Sequence, residues 1–229
     1  MSYKLIMLDF DGTLCATHNA IVYSVQQVYK SYTVPLPDQQ AIERVIHRGL
    51  GMQHALQTLS PSLDEQRIRT LLEAYEQNYL EEGALKSTTF PHAHTVLKQL
   101  QDAGLILTIV SNKAVQAVSS SLERFGLKQY IKMIVGDRLN MKKKPDPMAY
   151  TTVIKPTFPE LSVSEILMVG DTQADLLFAK NIGVDACWAQ YGYGTPAECI
   201  KLNPQYRIHD LLDLLPIIIP NRQPPEQHA

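Results

Sequence analysis

The residues best equipped for chemistry fall in four short stretches. Asp9 and Asp11 stand one residue apart in DFDGT, directly after the apolar run KLIML and directly before Gly12 and Thr13. VSNK places Ser111, Asn112 and Lys113 after a second apolar run, LILTIV. KKKPDP brings Lys142, Lys143 and Lys144 ahead of Pro145, and GDTQAD supplies Asp171 and Asp175 after EILMV. Three converging carboxylates repel one another and call for a cation. Hard oxygen donors in a phosphate site suit Mg²⁺, which keeps several waters and binds through one or two carboxylates. A lysine, a hydroxyl and backbone N–H groups would hold the oxygens of a phosphate.

Taken singly, each stretch has a plainer explanation. Asp-Gly is a turn signal, but a hairpin wants alternating strands, and KLIML does not alternate. Ser111-Asn112 could cap a following helix. Lys144 could be one solvated charge in a basic run. Asp171 could be an anion favoured at a helix N-terminus. All four explanations would have to hold at neighbouring strand ends, and together they are improbable.

These residues need a scaffold that gathers strand ends. KLIML reads as a strand buried on both faces, as in a parallel sheet. From about residue 20 to 82 the chain reads as helices only. IVYSVQQVYKSY carries Ile21, Val25, Val28, Tyr29 and Tyr32 on one stripe. DQQAIERVIHRG runs from an N-cap at Asp38 to Gly49, and MQHALQTL ends at Ser60-Pro61. SLDEQRIRTLLEAYEQNYLEEG opens with a capping box, Ser62 to Glu65, and closes at Gly83. Strand and helix then alternate: a helix to Gly104, strand LILTIV, helix SNKAVQAVSSSLERFG, strand KMIVG, a helix capped by Asp146 with Pro147 first, strand EILMVG, helix DTQADLLFAKNIG and strand VDACWAQ. This order predicts an α/β fold, a doubly wound parallel sheet with a Rossmann-like core and an inserted all-helical cap. The core is expected over 1–15 and 86–229, and the cap over 16–85. In such sheets ligands sit beyond the carboxyl ends of the strands, where all four stretches lie.

Bulk composition narrows the function classes. The 229 residues carry a formal net charge of −2, 45% hydrophobic and 19% charged residues. That is ordinary for a soluble globular chain, and no basic excess points to nucleic acid or a membrane surface. Cys15, Cys187 and Cys199 have no CxxC spacing, so no disulfide framework or zinc motif is expected, and reduced cytoplasmic thiols are the simpler expectation. No secretory signal or bilayer-spanning run is read, LLDLLPIII is expected to pack against the core, and the tail PNRQPPEQHA is expected to be disordered.

DFDGT, VSN, KKKPDP and GDTQAD, in that order, resemble the motif set of the haloacid dehalogenase-like superfamily of phosphohydrolases, and the helical insertion resembles its C1 cap. VDACWAQYGYGTPAE resembles the phosphoglycolate phosphatase-like subgroup. The resemblance covers nearly the whole chain. It implies that Asp9 is the nucleophile forming an aspartyl-phosphate and that Asp11 is the general acid, then the base. It implies that Mg²⁺ is held by Asp9, the main-chain carbonyl of Asp11 and Asp171, with Asp175 supporting. Ser111 and Lys144 would bind the phosphoryl group, with Asn112 through its backbone N–H, and Gly12 and Thr13 are expected among the substrate- or phosphate-binding residues.

The resemblance also places a substrate-specificity loop at HRGLGMQHAL, where Arg48 is a candidate for an anionic group on the leaving moiety and Lys113 a second, from the core side. The chain departs from the subgroup in LCATHNA, where Ala16 and Thr17 replace an Asp-Ser pair, and at His92, where Gly is usual. The expected function is a Mg²⁺-dependent phosphatase, monomer or homodimer, acting on a small phosphorylated metabolite such as phosphoglycolate. A phosphomutase on the same scaffold and a non-catalytic phosphate-binding module are the alternatives.

Overall fold

A computed structural model describes residues 3–220, so the expected tail lies, beyond Pro220, outside the described residues. β1 (Leu5–Leu8) is buried along its whole length, as a non-alternating strand in a parallel sheet should be. Its alternate side chains feed two separate cores. Ile6 and Leu8 pack with Val96, Leu97 and Leu100 on one face, while Leu5 and Met7 pack with Phe178, Ala179 and Ile182 on the other. A helix layer on each face is therefore required.

After β1, β2 (Cys15–Ala16) leads into four helices: α1 (His18–Ser31), α2 (Gln39–Ile46), α3 (Met52–Leu59) and α4 (Glu65–Glu81). They close on their own cluster around Tyr29, Ile42, Leu56 and Leu71. β3 (Thr88–Thr89) returns antiparallel to β2, so a two-stranded ribbon carries the chain out of the sheet and back. Then follow α5 (Ala93–Asp102), β4 (Ile106–Ala114), α6 (Val115–Arg124) and β5 (Met133–Asp137). A wide π turn, Tyr150–Ile154, runs into the short α7 (Lys155–Thr157). β6 (Ile166–Gly170), α8 (Gln173–Ile182), β7 (Asp185–Ala189), α9 (Pro196–Lys201), β8 (Tyr206–Ile208) and α10 (Leu214–Ile218) complete the chain.

The main sheet has the order β5-β4-β1-β6-β7-β8 and its pairings are parallel. β1 lies at the centre, and Leu8 stands opposite both Ile109 and Val169. Asp9, Ser111 and Asp171 therefore leave three adjacent strands at nearly the same height, at the crevice where the strand order reverses. Leu211, Leu214 and Ile218 pack into the first core, as expected of LLDLLPIII. Among the described residues no helix is long and apolar enough to cross a membrane.

Local expectations fail in instructive places. β4 continues through Ser111, Asn112 and Lys113 to Ala114, because its pairing with β5 resumes at Ala114 opposite Asp137 after an irregularity beyond Val110. Those residues therefore lie on the strand end and cap no helix. α4 is capped by Asp64, whose carboxylate accepts the Arg67 N–H at 2.8 Å, so the expected Ser62–Glu65 box is replaced by a cap two residues later. Tyr32 falls at the end of α1, half-buried. The short edge strand β8 and the β2–β3 ribbon have no clear counterpart in the sequence pattern.

Candidate active site

Asp9 begins at the carboxyl end of β1, where its N–H donates to the Val169 carbonyl at 2.9 Å. The chain then turns sharply at Gly12, which has the left-handed φ of 81°. A Cβ at Gly12 would lie 2.2 Å from Asp171 Oδ2. Only glycine lets the loop after β1 lie against the loop after β6. Thr13 ends with its hydroxyl donating to Asp171 Oδ1 at 2.9 Å and does not reach the cavity described below. The other Asp171 oxygen accepts the Tyr193 N–H at 2.7 Å.

Lys144 is the electrostatic centre. Its ammonium lies 2.9 Å from Asp9 Oδ1, 2.5 Å from Asp175 Oδ1 and 2.6 Å from the Val110 carbonyl. Burial works against its charge, but Asp175 and Asp9 outweigh that and hold it protonated. Asp175 Oδ2 accepts the Thr172 N–H at 2.9 Å and the Thr172 hydroxyl at 2.8 Å. The first of these is one half of a capping box at the start of α8, whose other half sets the Thr172 side chain against the Asp175 N–H. Burial, then Asp175, push the Asp9 carboxyl up to about 7, against the pull of Lys144. Burial, then Asp175 and Asp9, raise Asp171 well above the usual carboxylate range.

Asp9, Asp171 and Asp175 each offer a carboxylate oxygen within 4.8 Å of the others, all buried. The polar contact of Asp9 Oδ1 is the ionic one with Lys144, at 2.9 Å. One lysine cannot neutralise three carboxylates. This donor set fits a hard divalent cation bound through oxygen.

Asp11 points the other way, toward the helical insertion. Lys113 Nζ donates to Asp11 Oδ1 at 3.0 Å. The same ammonium sits 3.8 Å from the centre of the Tyr79 ring of α4, close enough for a cation–π contact. That face is closed by Tyr75 and by the loop between α2 and α3. Together they bound a cavity of about 100 Å³ that reaches Asp9, Asp11, Ser111, Asn112, Lys113 and Lys144. At roughly 10–15 Å³ for each water-sized occupant, that space fits a small molecule rather than a polymer. Arg48 is exposed and does not line it; the loop presents Gly49, Leu50, Gly51 and Met52 instead.

The structure thus gathers Asp9, Asp11, Ser111, Asn112, Lys113, Lys144, Asp171 and Asp175 at one end of the sheet, keeps Gly12 and Thr13 behind Asp171, and leaves Arg48 outside. Sequence reasoning missed three contributors. Tyr193 accepts the N–H groups of Thr17 and His18 with its hydroxyl, at 2.6 and 2.9 Å, and so caps α1 from a distant loop. Thr172 braces Asp175, and Tyr79 supports Lys113 from the insertion. Thr172 is legible as a possible cap three residues before Asp175; nothing local marks the two tyrosines.

Residues 6–189 match the family described as haloacid dehalogenase-like hydrolase. A phosphoglycolate phosphatase of Vibrio cholerae is 28% identical over 223 residues, covering 95% of this chain and 98% of that protein. One from Pseudomonas savastanoi is 27% identical over 93% of this chain and 79% of its own length. Among solved structures, a predicted phosphoglycolate phosphatase of Haemophilus somnus superposes with a TM-score of 0.82 at 25% identity, covering 95% of this chain and 98% of that one. A haloacid dehalogenase-like family hydrolase of Streptococcus pneumoniae superposes with a TM-score of 0.80 at 20% identity, covering 94% and 98%.

Proposed function

Because the chain belongs to the haloacid dehalogenase-like hydrolase family, we propose that it is a phosphoric monoester hydrolase that takes a small metabolite ester, needs Mg²⁺ and carries the phosphoryl group on Asp9. The observation that carries this reading is the Asp9–Lys144–Asp175 cluster beside Asp171, opening onto a small cavity whose other acid is Asp11. The names of the relatives make phosphoglycolate the first ester to assay.

Asp9 and Asp171, with Asp175 supporting, would hold Mg²⁺, which supplies positive charge to the phosphoryl oxygens and removes their repulsion of an anionic nucleophile. Asp9 attacks phosphorus, and the bond from phosphorus to the ester oxygen breaks. Alkoxides leave poorly, so Asp11 gives that oxygen its proton, a contribution of about 10²- to 10⁴-fold. Asp11 then removes a proton from a water that attacks the phosphorylated Asp9, and inorganic phosphate leaves with Asp9 restored. Throughout, Lys144 and the Ser111 hydroxyl hold phosphoryl oxygens, and the buried setting strengthens each contact. With a single residue between the attacking and the proton-carrying carboxylate, both reach one substrate from opposite sides of the bond that breaks.

A panel of small phosphomonoesters, phosphoglycolate included, assayed with and without Mg²⁺ tests the reading. Mg²⁺-dependent phosphate release is expected, and Asp9→Asn should abolish it while keeping the thermal transition. Isomerised hexose phosphate without free phosphate would favour a mutase instead. A dead panel would favour a binding module.

A further inference from the structure

The side chain of Asn112 touches the helical insertion and the Lys144 backbone together. Its Oδ1 accepts the Lys144 N–H at 2.7 Å. Its Nδ2 donates to the Lys144 carbonyl at 3.0 Å and to the Gly49 carbonyl, in the loop between α2 and α3, at 2.7 Å. The orientation follows from chemistry: two carbonyls require the NH₂ group, and an N–H requires the oxygen. One carboxamide thus joins a loop of the insertion to the residue whose ammonium pairs with Asp9 and Asp175.

The loop is shaped for this contact. Gly49 has φ 65°, and a Cβ there would lie 2.5 Å from the hydroxyl of Thr172, the residue that braces Asp175. Gly51 has φ 87°, and a Cβ there would meet Lys143 at 2.7 Å and the Asn112 carbonyl at 3.3 Å. Two left-handed glycines two residues apart therefore let this loop lie flat on three core loops at once. Asn112 needs no such arrangement if its only duty is a backbone N–H toward phosphate.

We propose that the Asn112 carboxamide is a latch: it reads closure of the helical insertion through Gly49 and transmits it to the placement of Lys144, which makes Asn112 a positioning residue for phosphoryl transfer. This rests on the proposed function in taking Lys144 as part of the reaction centre. The contact to Gly49 exists only when the insertion is closed. Opening removes the Gly49 bond from the NH₂ group and unanchors the carboxamide, so that the two bonds it makes to the Lys144 backbone no longer hold a fixed position. Closure and charge placement are then one event, so Lys144 is fully held only while the site is covered and water excluded.

Two variants test the coupling. Asn112→Ala removes all three hydrogen bonds. Gly49→Ala keeps the Asn112 side chain and its two bonds to Lys144, and its Cβ, set against Thr172, lifts the loop away. A misplacement on the order of 1 Å can cost roughly 10²-fold, so each should lower kcat about 10- to 100-fold with a much smaller change in KM. The double variant should be no worse than Asn112→Ala alone, because the Asn112–Gly49 bond that Gly49→Ala disturbs is already absent there. Multiplicative losses would show that Asn112 serves Lys144 alone and would overturn the latch. Hydrogen exchange at residues 47–52 needs no substrate and stands apart from the proposed function. Faster exchange there in Asn112→Ala is expected, and unchanged exchange would also overturn the latch. If Asn112→Ala fails to fold, Gly49→Ala carries the test: unchanged kcat in that variant refutes it.

Discussion

At the residue scale the site is a problem of charge. Asp9, Lys144, Asp171 and Asp175 are all buried, with one cation among three carboxylates. Removing one partner from a buried ion pair typically costs about 3–5 kcal/mol, because the remaining charge is stranded. Lys144→Met should therefore unfold at lower temperature in the absence of Mg²⁺, and acidification should recover part of the loss by protonating Asp9. Loss of one stabilising donor at a reacting centre costs about 10²–10³ in kcat, so turnover should fall at least that far; near-normal turnover would remove Lys144 from the mechanism. The residue identities at this scale are legible because each motif pairs an apolar run with polar residues at its end. What cannot be read is their wiring. The Asn112 carboxamide spends itself on Lys144 and Gly49, and the Tyr193 hydroxyl reaches α1 across 176 positions of sequence. Such contacts depend on the fold and leave no local spacing to detect.

At the element scale, strands announce themselves by apolar runs and helices by periodicity, but their ends depend on which of several good caps the chain uses. The start of α4 shows this. Ser62 and Asp64 are both strong N-cap types, and Glu65 completes a box with Ser62, yet Asp64 caps the helix. Asp64→Ala should cost about 1 kcal/mol, a typical value for losing such a cap, and Ser62→Ala should cost almost nothing. Chemical denaturation of the two variants separates them; equal losses would mean that the helix begins earlier. The departure at His92 has a similar local cause. The φ of His92 is 65°. That is the left-handed region that Gly adopts freely, so the chain keeps the turn ahead of α5 while carrying a side chain there at some cost. Departures in LCATHNA are compensated from outside. Thr17 offers no side-chain cap to α1, and Tyr193 supplies an acceptor in its place.

At the scale of the whole molecule, the acidic cluster links stability to pH and to the cation. The Asp9 carboxyl is raised from its ordinary 3.8 to about 7, first by burial and then by Asp175, and Asp171 is raised well above its ordinary value by the same means. Carboxyls raised by folding bind more protons in the folded than in the unfolded chain. Stability of the metal-free protein must then fall as pH rises from about 4 toward 7, the reverse of the usual effect of paired carboxylates. A divalent cation on the same oxygens competes with those protons. It stabilises the fold by mass action, and does so more strongly once the carboxyls are ionised. Melting temperatures measured from pH 5 to 8, in excess Mg²⁺ and in chelator, should therefore diverge: the chelated protein should weaken with rising pH while the Mg²⁺ protein holds. Lys144 stays protonated across that range and cannot produce the divergence, so the signal belongs to the carboxylates. A constant gap would mean that the cation binds away from Asp9 and Asp171. No gap would mean that the cluster is stabilised by Lys144 alone, and the case for a metal-assisted phosphatase would lose its main support.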